Sequence, residues 1–454
     1  MIKRTLKEIQ EMAKGEEIAP EYRGIMVEGV SKDTRENMGG KLYIPIIGEN
    51  FNGHKFVQQA IVEKGAVASL WQKDQPEPPA DVNLIFVEDT IEALQHLASS
   101  YRDQIGMKVV GITGSNGKTT TKDMVTSLLQ TTFNVHKTAG NYNNHIGLPL
   151  TILSMREDTE VAVLEMGMSG RGEIELLSHI AKPDAAIITN IGESHMQELG
   201  SREGIAEAKL EIAAGLKPGG KLIINGDEPL LKNKVSDFDC DVITFGLNDE
   251  NDYVAQDIVL KGNGTQFIIE ETAYMIPVLG AHNVTNALAS IVVGEIFGVN
   301  EENRKKGLEK VSLTAMRNEV VETSGGWTVI NDAYNASPTS MKAAIDLLGS
   351  LTGYSKKIAV LGDMLELGDQ EIPFHQEVGR YVQDKGIDFV LTYGDLGKNI
   401  AEGAAAVLGS EKVKSYTDKK ILIENLLKVL QPHDVVIVKG SRGMRLEEVV
   451  QGLQ

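Results

Sequence analysis

The sequence predicts an α/β fold of three domains: a small α/β N-terminal domain, a central domain with a mostly parallel sheet, and a C-terminal α/β domain. Short apolar segments typical of buried strands alternate with segments of helical periodicity, which is the pattern of parallel sheets covered by helices. A strand, a glycine-bearing loop and a helix follow one another at 107–130, and the alternation starts again after Thr314. We therefore place the domains at 1–105, 106–313 and 314–454.

The composition is that of a globular protein with a large excess of acidic residues. The 454 residues are 42% hydrophobic and 24% charged, and the formal net charge is −19 at pH 7. Such a charge argues against nucleic acid or an anionic membrane as a partner. The single cysteine, Cys240, leaves no internal disulfide and fits a reducing cytoplasm. Because no segment approaches the ~18 apolar residues of a membrane span, we predict a cytoplasmic protein without membrane insertion, and we expect a monomer.

The first hundred residues are predicted to form the small α/β domain. After an amphipathic helix pattern, we predict strands at 42–47, 66–71 and in NLIFVED, and helices at 54–64 and in TIEALQHLASSYRDQI. Ser31, Thr34 and Arg35 bring two hydroxyls and a guanidinium to a strand end, a combination suited to holding a phosphate. The alternative is that SKDTRENMGG is only a polar loop.

The stretch MKVVGITGSNGKTTTKDMVTSLLQ carries the clearest sign of chemistry. Gly114 and Gly117 allow a turn that aims successive N–H groups at phosphate oxygens, and the helix start adds its positive dipole end. Lys118 would reach the β- and γ-phosphates, and the Thr119 hydroxyl would bind Mg²⁺. The spacing departs from the usual pattern at Ile112, where a glycine is expected. The strand and helix around the loop nevertheless predict a P-loop ATPase-like domain, with nucleotide contacts from Thr113, Gly114, Ser115, Asn116, Gly117, Lys118, Thr119 and Thr120.

Polar side chains follow two further strands of the predicted central sheet. Glu165 ends VAVLE, and His195 follows the apolar run of DAAIITNIG. In parallel sheets ligands gather at the carboxyl edge of the strands, so both side chains could meet a metal–phosphate cluster. Mg²⁺ prefers oxygen ligands, which makes His195 the less expected of the two, and each could also be a loop residue. Three asparagines, Asn141, Asn143 and Asn144, lie close together and could bind a sugar or peptide backbone, or simply form a turn.

Lys209 is the most informative single residue of the central domain. On a helix its neighbours at three and four residues either way are apolar: Ile205, Ala206, Ile212 and Ala213. A buried ammonium is costly, so the amine must pair, lose its proton or be modified. A deprotonated lysine can react with CO₂ to give a carbamate, which is a metal-binding carboxylate. The alternative is a lysine whose tip reaches water.

The remaining elements continue the α/β pattern. A β-hairpin-like tract precedes a long helix, at whose start Asn283 and Asn286 are placed either to cap the helix or to bind an adenine edge. WTVINDAYNASP, KKIAVLGDMLELG, DFVLTYG and HDVVIVKGSRGM each look like a buried strand opening into a polar turn, which predicts a Rossmann-like C-terminal domain. Arg317, Asp332, Tyr334 and Asn335 lie near its join with the central domain.

Taken together, these motifs resemble those of the Mur ligases, ATP-dependent amino-acid and peptide ligases of bacterial cell-wall synthesis. The resemblance runs over essentially the whole chain. TGSNGKTTTK, TNIGESHMQ and GAHNVTN are also similar to folylpolyglutamate synthases, whereas GNYNNHIGLP, DAYNASPTSM and LGDMLELG discriminate within the family. The family usually has Asn-Ala-Asn-Pro where this chain has Asn335-Ala336-Ser337-Pro338.

The resemblance implies a function and a role for each candidate residue. The N-terminal domain would bind UDP-N-acetylmuramoyl-tripeptide, the central domain would bind ATP, and the C-terminal domain would bind D-alanyl-D-alanine. The tripeptide and the dipeptide would be joined through an acyl phosphate. The implied catalytic residues are Lys118, His195, Lys209 and Arg317. The implied metal ligands for Mg²⁺ are Thr119, Glu165, His195 and carbamylated Lys209. Beyond the P-loop, ATP would contact Asn283, Asn286, Arg317 and Asp332. The substrates would contact Ser31, Thr34, Arg35, Asn141, Asn144, Tyr334 and Asn335.

Four other functions are considered. A folylpolyglutamate-type amide ligase would not need a UDP-binding first domain. A GTPase would need an NKxD-type guanine reader after a strand, which the sequence lacks. A kinase would leave phosphate on its product. A non-catalytic nucleotide-binding protein would give Lys209, Glu165 and His195 no purpose.

Overall fold

The computed structural model describes residues 1–234, 238–262 and 264–454. The chain packs into two compact units, each assembled from several stretches. The first unit comprises Met1–Thr113, Phe133–Ala186 and Glu211–Lys221. The second comprises Gly114–Thr132, Ile187–Leu210 and Leu222–Gln454. Each unit is an α/β structure, as predicted.

The N-terminal part of the first unit is built on a four-stranded parallel sheet in the order β3–β4–β7–β8. The strands of the whole N-terminal part are β1 (Lys3–Thr5), β2 (Met26–Glu28), β3 (Val30–Ser31), β4 (Leu42–Tyr43), β5 (Ile47–Gly48), β6 (Phe51–Asn52), β7 (Ala68–Gln72) and β8 (Leu84–Val87). The strands outside the four-stranded sheet form two antiparallel pairs, β1 with β2 and β5 with β6. Its α-helices are α1 (Leu6–Met12) and α2 (Thr90–Ile105). Thr5 and Glu8 form a capping box that starts α1.

Two predictions for this region were only partly right. The strand predicted at 42–47 is divided into β4 and β5 around Pro45, whose nitrogen has no hydrogen to donate to a sheet. The helix predicted at 54–64 is a 3-10 turn, Gly53–Phe56, followed by a π-helical segment, Gln59–Glu63. The Asn52 side chain accepts a hydrogen bond from the backbone N–H of His54 and so starts the turn.

The middle of the chain supplies strands to both units. The strands are β9 (Lys108–Thr113), β10 (Val135–Lys137), β11 (Val161–Glu165), β12 (Ala185–Ile188), β13 (Lys221–Asn225), β14 (Asp241–Gly246), β15 (Tyr253–Val254), β16 (Gln256–Lys261), β17 (Gly264–Ile269) and β18 (Thr272–Ile276). In the first unit β10, β11 and β9 pair in parallel. In the second, β14 and β15 pair in parallel, and β16, β17 and β18 form the antiparallel tract that the sequence predicted.

The helices of this region place the candidate residues. They are α3 (Lys118–Leu129), α4 (Gly147–Leu153), α5 (Glu173–Ala181), α6 (Met196–Leu199), α7 (Arg202–Leu210), α8 (Pro229–Lys232), α9 (Ala281–Ile296) and α10 (Glu301–Glu309). The predicted strand–loop–helix is confirmed, because β9 ends at Thr113 and α3 begins at Lys118. None of the helices in the described part of the chain has the length and apolar character needed to cross a bilayer.

The C-terminal part of the second unit is a sheet in the order β19–β20–β24–β21–β22–β23, parallel except between β19 and β20. Its strands are β19 (Glu319–Glu322), β20 (Thr328–Asp332), β21 (Lys357–Gly362), β22 (Phe389–Tyr393), β23 (Val413–Tyr416) and β24 (Val435–Lys439). Its α-helices are α11 (Pro338–Ser350), α12 (Glu371–Arg380), α13 (Gly397–Leu408), α14 (Lys419–Leu427) and α15 (Glu447–Leu453). The four predicted strands are confirmed, and the sheet adds β19 and β23 at its two edges.

Helices cover both faces of this sheet, as the sequence predicted. Ala359 and Leu361 of β21 belong to the buried cluster that includes α11, α12 and α13. Ile358 and Val360 belong to a second buried cluster, with α14 and α15. Successive side chains of a strand point to opposite faces, so the two clusters lie on opposite sides of the sheet.

A buried histidine fixes the loop that follows β21. His375 is 0% exposed. Its Nε2 accepts a hydrogen bond from the backbone N–H of Met364 at 2.9 Å, and its Nδ1 lies 2.6 Å from the carbonyl oxygen of Glu371. This pattern requires the neutral ring with its proton on Nδ1. Burial accordingly lowers the pKa of His375 from its ordinary value of 6.5.

We expect this histidine to make the stability of the protein fall in acid. As the pH drops below 6.5, the unfolded chain takes up a proton that the folded His375 resists, so stability present above that pH is lost. The free energy of unfolding should fall by up to about 1.4 kcal/mol per pH unit from this one group. Urea unfolding at about pH 8 and about pH 5.5 measures the change in the free energy of unfolding. A His375→Gln variant, which does not titrate, should show a shallower slope, and equal slopes would contradict the assignment.

Candidate active site

The P-loop between β9 and α3 adopts, at two positions, a backbone conformation that strongly favours glycine. Gly114 has φ +146° and Gly117 has φ +82°. A Cβ at Gly114 would lie 1.8 Å from Thr189 Oγ1, and one at Gly117 would lie 2.5 Å from Asn286 Oδ1. Both separations are far below van der Waals contact. The loop is therefore shaped by its two glycines and by the side chains that press against them.

The residues that follow β12 brace this loop. Thr189 Oγ1 donates to the carbonyl oxygen of Asn116 at 2.5 Å. Asn190 accepts from the backbone N–H of Ser115 at 3.0 Å through its carbonyl, and from that of Asn116 at 2.9 Å through Oδ1. Ser337 Oγ donates to Asn116 Oδ1 at 3.3 Å. Sequence reasoning assigned no role to Thr189 or Asn190, although their place directly after an apolar strand was the available signal.

Several donors at the loop have the character of an anion site. Lys118 Nζ donates to the carbonyl oxygens of Gly114 at 2.7 Å and Ser115 at 3.3 Å. Ser115 Oγ, Asn116 Nδ2 and Arg317 Nε are buried and have no hydrogen-bond partner among the described residues. Leaving buried donors without partners is costly, and phosphate oxygens would satisfy them. The residues present therefore fit the phosphates of a nucleotide.

Arg317 comes from far along the chain to the first turn of α3. Its Nη2 donates to Thr119 Oγ1 at 2.9 Å, and its guanidinium lies 4.2 Å from the ring centroid of Tyr334. The aromatic face holds the cation in place while the charge points at the loop. Thr120 is buried in the same helical turn. The roles predicted for these residues toward ATP and Mg²⁺ stay predictions.

Asn283 and Asn286 support the loop from α9. Asn286 Oδ1 accepts from Thr121 Oγ1 at 3.2 Å, and its Nδ2 donates to Asn283 Oδ1 at 3.2 Å. Asn283 Nδ2 donates in turn to the carbonyl oxygen of Leu279 at 2.8 Å. Both residues are buried. These contacts give the two asparagines a structural part, and their contact with adenine stays a prediction.

An ion pair links the carboxyl ends of β20 and β24. Lys439 Nζ lies 2.5 Å from Asp332 Oδ2 and donates to the carbonyl oxygen of Asn335 at 3.0 Å. The backbone N–H of Asn318 contacts Asp332 Oδ1 at 3.4 Å. Asp332 and Asn335, both predicted site residues, are thus tied together by a lysine to which the sequence assigned no role.

His195 contacts the C-terminal part of the chain. It adopts a left-handed backbone, φ +63°, and its Nδ1 lies 3.0 Å from Glu366 Oε2. Nearby in sequence, Glu193 accepts from the backbone N–H of Thr339 at 3.1 Å and from its Oγ1 at 2.7 Å. Residues of LGDMLELG and DAYNASPTSM, two of the discriminating motifs, therefore meet the loop that carries His195. The sequence had not predicted Glu366 or Glu193 as contacts.

In the first unit, Glu165 is held at the end of β11. It is buried, and Oε1 accepts from Asn143 Nδ2 at 2.9 Å. Asn143 is one of the three asparagines that the sequence singled out, although only Asn141 and Asn144 were assigned a substrate contact. Asn144 Oδ1 accepts from the backbone N–H groups of Ile146 at 3.2 Å and Gly147 at 2.8 Å, in the turn just before α4, which is the turn role that the sequence left open. Asn141 is exposed in the same turn.

Lys209 is buried on α7, as predicted. It is 2% exposed, so the alternative in which its tip reaches water is wrong. Ile205 and Ala206 on the same helix are fully buried. Among the described residues, no three His, Cys, Asp or Glu side chains are grouped as a metal site. Mg²⁺ bound with substrate phosphates needs only one or two protein ligands, so a hydroxyl such as that of Thr119 fits.

A cavity of about 310 Å³ opens in the first unit beside β3. Ser31 lines it, together with three cations and a histidine: Lys32, Lys41, Lys137 and His136. Ser31 Oγ donates to Glu36 Oε2 at 2.8 Å and accepts from the backbone N–H of Asp33 at 3.1 Å. Two carboxylates, Asp33 and Glu36, line the same cavity, so its three lysines leave only a small excess of positive charge, and the Ser31 hydroxyl proton is already donated to Glu36.

Arg35 and Thr34 lie outside the lining of this cavity. Arg35 Nε and Nη2 donate to the Asp33 carboxylate at 2.8 and 2.6 Å, and these hydrogen bonds lower the pKa of Asp33 to about 2. The Arg35 side chain is 89% exposed. Its guanidinium is therefore engaged within its own turn, and the substrate contacts of Thr34 and Arg35 stay predictions.

Comparison with known proteins matches every part of the chain. Three family models match in order: "Mur ligase family, catalytic domain" at 26–102, "Mur ligase middle domain" at 112–294 and "Mur ligase, glutamate ligase domain" at 316–442. The chain is 54% identical over 455 residues to the UDP-N-acetylmuramoyl-tripeptide–D-alanyl-D-alanine ligase of Bacillus subtilis (strain 168), covering 100% of this chain and 99% of that protein.

Solved structures agree over the whole length. MurF from Acinetobacter baumannii has a TM-score of 0.90 and 30% identity, with 100% of this chain and 99% of that chain covered. MurF ligase from Thermotoga maritima, in complex with ADP, has a TM-score of 0.85 and 29% identity, with 94% and 97% covered. The predicted fold of three α/β domains is confirmed by these likenesses. From the first domain to the last, the chain belongs to the Mur ligase family.

Proposed function

We propose that the protein joins D-alanyl-D-alanine to UDP-N-acetylmuramoyl-tripeptide in an ATP-dependent reaction of peptidoglycan synthesis. The products are UDP-N-acetylmuramoyl-pentapeptide, ADP and phosphate. The observation that carries the proposal is a P-loop whose buried donors have no hydrogen-bond partner within the described part of the chain, next to a helix turn to which Arg317 is hydrogen-bonded. The full-length identity to a ligase of that name, and the ADP bound by the MurF ligase of Thermotoga maritima, support it.

The reaction proceeds in two steps. A carboxylate oxygen of the tripeptide attacks the γ-phosphorus of ATP, the bond to the bridging oxygen breaks, and ADP leaves. The dipeptide amine then attacks the carbonyl carbon of the acyl phosphate to form a tetrahedral intermediate. Its collapse expels phosphate, and the amine nitrogen gives up a proton as the amide forms.

The charges at the P-loop serve the first step. A carboxylate and a triphosphate repel each other, so their approach needs fixed positive charge. Lys118 and Arg317 supply it, one from α3 and one from the segment that enters the C-terminal domain. Thr119, Glu165 and His195 would hold Mg²⁺, which adds positive charge at the triphosphate when bound. Domain closure would exclude water from the acyl phosphate.

Lys209 is proposed to act as a carbamate. Its deprotonated amine forms a bond to the carbon of CO₂ and loses a proton, which converts a buried cation into a carboxylate that can bind metal. The 2% exposure of Lys209 is consistent with the proposal, because a buried amine must pair, lose its proton or be modified. Asp332, Asn283 and Asn286 are proposed to contact the nucleotide.

The cationic cavity of the first unit is proposed to receive the UDP part of the larger substrate. The three lysines that line it outnumber the two carboxylates, Asp33 and Glu36, and could pair with the oxygens of a diphosphate, while Ser31 lies beside them. Thr34 and Arg35 would contact the same substrate from the adjacent turn. Asn141 and Asn144 are proposed to contact the peptide, and Tyr334 and Asn335 the incoming dipeptide.

Phosphate release with each substrate omitted in turn tests this function. We expect release from ATP only when UDP-N-acetylmuramoyl-tripeptide and D-alanyl-D-alanine are both present, with one phosphate freed for each pentapeptide formed. A phosphorylated product would identify a kinase, and release without an amine acceptor would exclude a ligase. Extension of a folate by glutamate would favour the alternative amide ligase. Lysine- and diaminopimelate-containing tripeptides, assayed side by side, identify the preferred third residue.

A further inference from the structure

The linker that enters the C-terminal domain runs along one face of α3. Thr119 and Asp123 lie four residues apart on this helix and so share a face. Thr314 and Arg317, three residues apart in the linker, each contact one of them. Arg317 bonds Thr119, as described, while the backbone N–H and Oγ1 of Thr314 both donate to Asp123 Oδ2 at 2.8 Å. The linker is therefore fastened to the P-loop helix at two successive points.

The backbone between these points is unusual. Met316 has φ +63° and Asn318 has φ +51°, so left-handed residues flank Arg317 on both sides. Asparagine tolerates this conformation, but methionine rarely adopts it. Glu319 Oε2 accepts from the backbone N–H of Met316 at 3.1 Å. A strained turn persists only where surrounding contacts impose it, and such turns cluster at functional sites.

Asp123 provides a rigid and charged anchor. Its side chain is 0% exposed, and the ammonium of the equally buried Lys122 lies 3.7 Å from Oδ1. Hydrogen bonds to an ionised carboxylate are stronger than those between neutral groups. A buried carboxylate that receives two bonds from one residue fixes that residue closely. Asp123 lies one helical turn from Thr119. The linker therefore spans about that distance between its contact at Thr314 and the contact of Arg317 with Thr119.

We propose that Asp123 and Thr314 are positioning residues that hold the Arg317 guanidinium at the P-loop. The Asp123–Thr314 clamp fixes the start of the linker, and the turn at 316–318 directs the arginine from there onto Thr119. The clamp touches no substrate and acts only through Arg317. The inference rests on the proposed function, because it assigns Arg317 to the charge that develops during phosphoryl transfer.

Removing the Thr314 hydroxyl tests the clamp. Thr314→Val keeps the shape and the backbone N–H but loses one of the two bonds, so Arg317 should shift. We expect a roughly 10- to 100-fold fall in kcat for phosphate release, with a much smaller change in the KM for ATP. Thr314→Ser, which restores the hydroxyl, should recover most of the rate. Thr352→Val, the same change at an exposed threonine, controls for the substitution itself.

A double-mutant cycle separates positioning from general destabilisation. If the clamp acts through the arginine, Thr314→Val should change kcat by less than about twofold in an Arg317→Ala background. Equal losses with and without Arg317, or an unchanged rate in Thr314→Val alone, would overturn the inference. A native protein that forms no pentapeptide would instead overturn the proposed function.

Discussion

Replacing Gly117 with alanine is expected to abolish nucleotide binding and ligase turnover. The new Cβ would lie 2.5 Å from Asn286 Oδ1, the oxygen that accepts the hydrogen bond from Thr121. Either the loop or α9 must move, and the phosphate site that we propose at the loop would then be deformed. Displacements of this size cost ~100-fold or more in rate. Nucleotide affinity by calorimetry and phosphate release measure the two losses separately.

Gly353 offers a matched control for this substitution. It has φ +85°, nearly the value of Gly117, but a Cβ there would meet nothing within 4 Å. Gly353→Ala therefore carries the same backbone strain, about 1 kcal/mol of stability, without the collision. We expect it to bind nucleotide normally. If Gly117→Ala also bound nucleotide with native affinity while remaining folded, the loop would not be the phosphate site.

The P-loop was predictable because its signal is local. An apolar strand, two glycines and an amphipathic helix lie within about two dozen residues, and each constrains the backbone of its neighbours. The residues that brace the loop are different. Thr189, Asn190 and Asn286 act through contacts across more than seventy residues of sequence. Threonine and asparagine are common in turns, so nothing in their own surroundings distinguishes a bracing residue from an ordinary one.

In the C-terminal domain, too, the elements with a local sequence signal were predicted and the other features were missed. Its parallel sheet follows from four apolar runs, each bounded by polar turns, and was predicted. The two edge strands were missed, because β19 and β23 are short and half exposed and lack a continuous apolar run. Contacts such as His195 with Glu366 depend on how this sheet meets the preceding loop. No local sequence pattern specifies this arrangement. The family resemblance identified the motifs but did not say which of them contact each other.

The burial of Lys209 was predictable from the sequence pattern, whereas its carbamylation was only implied by the family resemblance and stays a prediction. Helical spacing alone placed it on an apolar face, and its burial follows from that pattern. Carbamylation depends on the local field and on a metal, which a sequence pattern does not express. The proposal therefore needs a test that separates a buried cation from a buried carboxylate, because both would be damaged by loss of the side chain.

Lys209→Arg is expected to inactivate the enzyme as fully as Lys209→Ala. Arginine keeps the positive charge but forms no stable carbamate, so a structural cation would be preserved while a metal-binding carboxylate would be lost. Loss of a metal ligand should cost more than the ~10–100-fold typical of residues that only support one. Added bicarbonate should not restore either variant. The native protein in ¹³C-labelled bicarbonate should show a carbamate signal that both variants lack, whereas Lys428→Arg, at an exposed lysine, should retain the signal and the activity. An active Lys209→Arg enzyme, or a native protein without the signal, would leave Lys209 as a buried cation.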